Sequence, residues 1–208
     1  MGWLDLPEQM MAHVAQLTTF AGEVRRAGFT HALLLGMGGS SLAPEVMRVT
    51  FGVAKGYLDL AVLDSTDPAA VLAAEERGDL ARTLFIVSSK SGGTAEINAF
   101  SSYFWSKLTE LKGRRAGENF IAITDPGTAL EALAKERNFR RIFVNPPEIG
   151  GRYSALSLFG LVPAALMGID VAKLLSRAQR MSAACGASVP PARNPGLQLG
   201  AILGALTK

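Results

Sequence analysis

Residues 84–96 read LFIVSSKSGGTAE, and the order of residue types in this stretch decides the fold. Leu84, Phe85, Ile86 and Val87 form a short, unbroken apolar run, the pattern of a strand buried on both faces of a parallel sheet. Small hydroxyl and glycine residues follow around one lysine, and a helix-forming sequence begins near Thr94. Ser89, Ser91 and Thr94 offer three hydroxyl groups. Gly92 and Gly93 carry no side chain, so their backbone N–H groups are free to face a ligand. Lys90 adds positive charge, and the helix start adds the positive end of its dipole. Together these features predict a phosphate cradle. The competing reading is an ordinary strand-to-helix turn, since glycine and serine are common there. The order Gly, four residues, Gly-Lys-Ser/Thr is absent and Lys90 precedes the glycines, which disfavours a Walker-type ATP loop.

Outward from this stretch the same alternation repeats. A helix is expected over 8–27, with Val14, Leu17, Ala21 and Val24 on one face. Strands are expected at 31–35, 58–63, 84–87, 120–123 and 141–144. Between them, 44–51 reads as a helix stopped by Gly52. Asp67 caps a helix that begins with Pro68 and is ended by Gly78. Residues 95–112 form a long helix closed by Gly113. Thr128 and Glu131 have capping-box spacing at the start of another. From about 154 the chain turns helical, over 154–167, 170–185 and 195 onward. Strands alternating with helices predict an α/β fold: a three-layer α-β-α sandwich around a five-stranded parallel sheet, with extra helices at both ends. The expected strand order is the flavodoxin-like 2-1-3-4-5. Ligands of such sheets bind beyond the carboxyl ends of the strands, at the switch point between the first and third.

Composition removes several classes of function. The chain has 208 residues, 49% hydrophobic and 19% charged, with a net charge of +3. That is the composition of a chain with a buried core, not of a disordered one. The basic residues are scattered and form no stripe interleaved with aromatics, which argues against nucleic acid. The longest apolar runs are too short for a membrane span, and MGWLDLPEQM is not a signal peptide. A single cysteine, Cys185, excludes an internal disulfide and fits a reducing, cytoplasmic setting; it reads as a small buried residue on a helix. His13 and His31 lack metal-ligand spacing, so no metal site is expected.

Two further segments carry chemistry. GMGGSSLAP, Gly36 to Pro44, follows the first strand. Gly36, Gly38 and Ser41 approximate a dinucleotide fingerprint, but the third place calls for Gly or Ala. Asp64 lies too far on for the ribose carboxylate, and Asp59 opens its strand instead of closing it. EIGGRYSALS, Glu148 to Ser157, lies just past the fifth strand. Gly150 and Gly151 let the backbone approach a ligand. Arg152 is always protonated, so it is no general base; it can hold an anion or a developing oxyanion. The alternative for Arg152 is a surface ion pair of little energetic weight, with Glu148 as its simplest partner.

Through GMGGSSLAP, SSKSGGTAE and above all IGGRYSALSLFGL, the sequence resembles phosphoglucose isomerases from about residue 31 onward. LDSTDPA and TDPGT bring it close to the isomerase half of bifunctional transaldolase/phosphoglucose isomerase proteins. The resemblance implies a sugar isomerase (SIS) fold. It divides the chain into an N-terminal helical segment (1–29), an SIS-like sugar-phosphate-binding domain (30–168), and a helical connection (169–208) towards a second SIS domain. It implies interconversion of glucose 6-phosphate and fructose 6-phosphate through a cis-enediol, a step of glycolysis and gluconeogenesis, with no metal or organic cofactor. Ser89, Lys90, Ser91 and Thr94 would hold the phosphate. Gly39, Ser40 and Gly151 would line the substrate. Arg152 would be the catalytic arginine that stabilises charge developing on oxygen.

The departures matter as much. Gly92 and Gly93 stand where related isomerases often carry a bulkier residue and a threonine. The family's glutamate base, in a later Glu-Ser-Asn-Gly motif, is absent, as are its ring-opening histidine and its C-terminal lysine. Glu96 takes the place of a glutamate thought to assist that histidine, and equally suits a carboxylate capping its helix. Leu199, Ile202, Leu203 and Leu206 give the last helix an apolar face that should be buried against something. The expectation is therefore a fragment of a longer, homodimeric isomerase, inactive alone. A sugar-phosphate-sensing SIS domain and an NAD-binding oxidoreductase domain stay open as alternatives.

Overall fold

In the computed structural model, which describes residues 2–207, the five apolar runs form five parallel strands. They are β1 (His31–Gly36), β2 (Asp59–Leu63), β3 (Thr83–Ser88), β4 (Phe120–Thr124) and β5 (Arg141–Val144). The sheet order is β2-β1-β3-β4-β5, as expected. Leu33 of β1 sits between Ala61 of β2 and Phe85 of β3, and Val87 of β3 pairs with Ala122 of β4. All six residues of β3 are buried, which is why its sequence shows no polar alternation.

The helices are α1 (Leu6–Gln9), α2 (Val14–Arg26), α3 (Leu42–Phe51), α4 (Pro68–Glu76), α5 (Ala95–Lys112), α6 (Ala129–Glu136), α7 (Leu158–Leu166), α8 (Val171–Ala184) and α9 (Pro195–Leu206). On one face of the sheet, Leu34, Leu60, Leu84, Ile86 and Ile123 pack with α2, α3, α7 and α8. On the other, Leu35, Phe85, Val87 and Phe120 pack with α5 and α6, and Val71 of α4 packs against them. Successive strand residues point to opposite faces, so one sheet feeds two cores and the sandwich has three layers. Every residue of α7 is buried, in keeping with its sequence LFGLVPAAL, apolar on all sides. Leu6, Met10, Leu17, Phe20 and Val24 join the same core as the strands, so the N-terminal helices belong to the sandwich.

Local chemistry sets most boundaries. Gly113, at φ +56°, closes α5, and Gly52, at φ +70°, closes α3. Asp67 caps α4, its carboxylate accepting from the N–H groups of Ala69 (2.8 Å) and Ala70 (3.2 Å). Asp67→Ala is expected to cost about 1 kcal/mol of stability, read as a shifted urea midpoint, with no change in ligand binding.

Two expectations change. The helix expected over 8–27 is interrupted by a 3-10 turn at Met10–His13 between α1 and α2. A 3-10 turn advances about 120° per residue instead of 100°, so four residues rotate the following face by about 80°. Sequence periodicity averages over such a slip. Cys185 is half-buried at the C-terminal end of α8, its Sγ 3.8 Å from Met181 Sδ, and is not a core residue. The apolar face expected on α9 is present and exposed: the helix has no buried residue, and Leu206 is 78% exposed. Among the described residues no helix is long and apolar enough to cross a membrane.

Candidate functional site at the carboxyl edge of the sheet

The segments that follow β1, β3, β4 and β5 meet at one edge of the sheet. The β1 loop reaches the end of β3, where the buried Ser88 hydroxyl donates to the Ser40 carbonyl (3.3 Å). It also lies against the 3-10 turn Gly151–Leu156 that follows β5. The Ser154 hydroxyl faces the carbonyls of Gly39 (3.1 Å) and Gly151 (2.7 Å). A Cβ on Gly39 would stand 2.2 Å from the Gly151 carbonyl oxygen. The two backbones are therefore in direct contact, at a separation only glycine allows. Asn145 holds the segment after β5 in place. Its N–H donates to the Thr124 carbonyl (2.8 Å), and its Oδ1 accepts from the Leu158 N–H (3.2 Å).

The loop after β3 is closed by its own hydroxyls. Ser89 is buried; its N–H donates to the Ile123 carbonyl (3.0 Å), and its Oγ lies 3.2 Å from Thr94 Oγ1. The Gly92 N–H donates to Ser89 Oγ (3.1 Å), and the Gly93 N–H to Ser91 Oγ (3.3 Å). The two glycine N–H groups read as free for a ligand are thus held by Ser89 and Ser91. The exposed Ser91 hydroxyl stands where an anion's oxygen would accept from Gly93. Gly92 has φ +68°, and a Cβ there would fall 2.7 Å from Thr128 Cβ, which seats this loop on the start of α6. Thr94 begins α5 with extended backbone and makes no side-chain cap, unlike Asp67, Thr128 and Asp170 at α4, α6 and α8. The first N–H groups of an 18-residue helix therefore have no side-chain acceptor.

Lys90 is not a free cation. Its Nζ forms an ion pair with Asp125 and donates to the Pro147 carbonyl (2.9 Å). One ammonium thus ties the β3 loop to the residue after β4 and to the segment that leads into Arg152. Arg152 itself is exposed and has no ion-pair partner among the described residues, so the expected Glu148 pairing is absent. Arg152 lines a groove of about 340 Å³ with Gly39, Leu42, Val46, Gly151 and Ser154. Tyr153 beside it stacks on Trp3, with ring centroids 5.4 Å apart. Glu96 is half-buried in the first turn of α5. Thr128 caps α6 by accepting from the Glu131 N–H (3.2 Å), but the Glu131 carboxylate accepts from the Gly127 N–H (2.7 Å), one residue beyond the Thr128 N–H that a capping box would use. The Lys135 ammonium, with the Gly127 N–H, holds the Glu131 carboxyl below the usual carboxylate range.

Gly39, Ser40, Ser89, Lys90, Ser91, Thr94, Gly151 and Arg152 all lie on the segments that meet at this edge. The sequence reading missed Asp125, the Pro147 carbonyl, Asn145 and Ser154. Only Asp125 carried a signal, as a carboxylate directly after a strand in TDPGT.

Comparison with known proteins finds relatives along most of the chain. The phosphoglucose isomerase family profile matches residues 8–204. A glucose-6-phosphate isomerase of Trichormus variabilis is 35% identical over 206 residues, covering 91% of this chain and 37% of that protein. One from Carboxydothermus hydrogenoformans is 33% identical, covering 89% of this chain and 42% of its own length. Among solved structures, a hypothetical protein of Thermus thermophilus superposes with TM-score 0.88 at 31% identity, covering 99% of this chain and 48% of that one. A glucose-6-phosphate isomerase from Chlamydia trachomatis superposes with TM-score 0.72 at 26% identity, covering 84% and 34%. The chain thus spans well under two thirds of each of these proteins.

Proposed function

The chain belongs to the phosphoglucose isomerase family, and from that premise we propose that its carboxyl edge binds a hexose 6-phosphate for aldose–ketose isomerisation. Ser91, Thr94, the first N–H groups of α5 and the Lys90 ammonium would receive the phosphate. The sugar would extend past Gly39, Ser40 and Gly151 towards Arg152. A guanidinium there, exposed and without an ion-pair partner among the described residues, would meet the negative charge that develops on oxygen as a proton moves between neighbouring carbons. A donor held in that position by the bound substrate would be worth about 3 kcal/mol in the transition state. The proton itself needs a base that none of the residues placed at this edge supplies convincingly. Glu96 would support the site from the first turn of α5. The complete reaction is therefore a property proposed for a longer, homodimeric protein, and the 208 residues alone would bind without turnover.

The observation that carries this reading is the bridge from Lys90 to Asp125 and Pro147, together with the Gly39–Gly151 contact. These contacts support the reading because they bring the β3 loop and the Arg152 turn to one edge, where a sugar phosphate would span the two. Calorimetric titration of the chain tests it. Fructose 6-phosphate should bind saturably, fructose and NAD should not, and Lys90→Ala should weaken fructose 6-phosphate binding by roughly tenfold or more, as loss of a charge-assisted contact does. Equal binding of fructose and fructose 6-phosphate, or binding of NAD alone, would overturn the reading.

A further inference from the structure

Asp125 is the group at this edge whose surroundings are least explained by folding. It directly follows β4 and is only 9% exposed. One carboxylate oxygen, Oδ2, takes the Lys90 ammonium; the other, Oδ1, is buried and has no hydrogen-bond partner. The lysine that an anion would use is therefore already neutralised, by a carboxylate that has no other partner for its charge.

We propose that Asp125 sets the anion affinity and selectivity of this site by remaining paired with Lys90 while a phosphate binds. The inference rests on the sugar-phosphate reading above. Release of Lys90 would leave both oxygens of a buried carboxylate unpartnered, a strongly unfavourable state. The pair therefore persists, and the ammonium has three protons to place. One goes to Asp125 and one to the Pro147 carbonyl. The third is left for the ligand. Two oxygens bound to one ammonium lie about 4–5 Å apart, against about 2.8 Å from the nitrogen to either, so a phosphate on the third proton feels repulsion from Asp125 at somewhat more than half the strength of its attraction to Lys90. Lys90 then supplies direction with a much reduced net attraction. Inorganic phosphate alone is held weakly by such a site, and a ligand that also reaches the Gly39 and Arg152 segments is favoured over it.

Asp125→Asn keeps the shape and removes the charge. The expected result is inorganic phosphate binding about tenfold tighter than in the wild-type chain at low ionic strength, the gain shrinking as salt is added. The ratio of phosphate to fructose 6-phosphate dissociation constants should fall with it. In the Lys90→Ala background, where the carboxylate faces the anion uncompensated, adding Asp125→Asn should recover part of the lost affinity. Asp125→Glu should leave affinity near the wild-type value. A merely structural Asp125 would give weaker or unchanged binding on substitution, never tighter. Should Asp125→Asn fail to fold, Asp125→Ser carries the same expected sign. Phosphate affinity equal to or below wild type in the neutral variants overturns the inference while leaving the site assignment intact. A wild-type chain that binds no fructose 6-phosphate overturns both.

Discussion

Gly39→Ala is expected to lower the stability of the chain by about 3 kcal/mol and to weaken hexose-phosphate binding in the same variant. The added methyl would stand 2.2 Å from the Gly151 carbonyl oxygen and 2.5 Å from its carbon. Both are backbone atoms, so no side-chain rotation relieves the clash. The β1 loop and the turn that carries Arg152 must part, and the Ser154 hydroxyl, which bonds to the carbonyls of both, can no longer span them. Overpacking typically costs about 1–3 kcal/mol, and a contact that only backbone movement can relieve belongs at the upper end of that range. Gly151→Ala is the control. Nothing lies within 4 Å of a Cβ there, so its stability should stay within about 0.5 kcal/mol of wild type. Urea unfolding and fructose 6-phosphate titration of the two variants decide the matter. Equal stability of the pair would show that the loops are not in contact.

Phe85→Ala is expected to cost about 4 kcal/mol, the largest loss for any single substitution considered. Phe85 is fully buried in the central strand, its ring centroid 4.9 Å from Phe104 of α5 and 4.9 Å from Phe120 of β4. Phe120 passes the stack on to Phe139 (5.1 Å) and Trp105 (5.5 Å). Truncation removes the ring that joins α5 to the sheet and leaves a cavity that close-packed neighbours fill only partly. A domain of this kind is stable by roughly 5–15 kcal/mol, so a large share of that stability would go. The urea midpoint should fall with an unchanged slope. β3 and α5 flank the loop proposed to take the phosphate, so heat-induced loss of binding should move to lower temperature together with unfolding. An unfolding free energy within about 1 kcal/mol of wild type would refute the packing argument.

Much of the fold is legible along the chain because it depends on neighbouring residues. The bounds of α5 at Ala95 and Lys112 follow from the loop before it and Gly113 after it. β5 occupies the expected Arg141–Val144. The slip in the 8–27 helix is less legible, since a 3-10 turn keeps helical residue types and changes only the angular step. The site divides in the same way. Hydroxyls, glycines and a lysine mark the β3 loop as an anion-binding candidate, but not which of them face outward. Ser89 turns inward to close the loop, and Ser91 stays exposed. Asp125 was visible only as a polar residue after a strand, because its partner is 35 residues away.

The chain itself determined the parallel sheet, its five strands and the three loops singled out for chemistry, because short apolar runs, period-3.6 patterns, caps and glycine stops act within a few residues. Tertiary structure alone decided how those loops meet: Gly39 against Gly151, Ser154 bonded across a separation of 115 residues, and Lys90 bridging to Asp125 and to Pro147 across 35 and 57. Such contacts depend on strand order and on how each crossover helix packs. They set the net charge an incoming anion would meet, a quantity that no local pattern encodes.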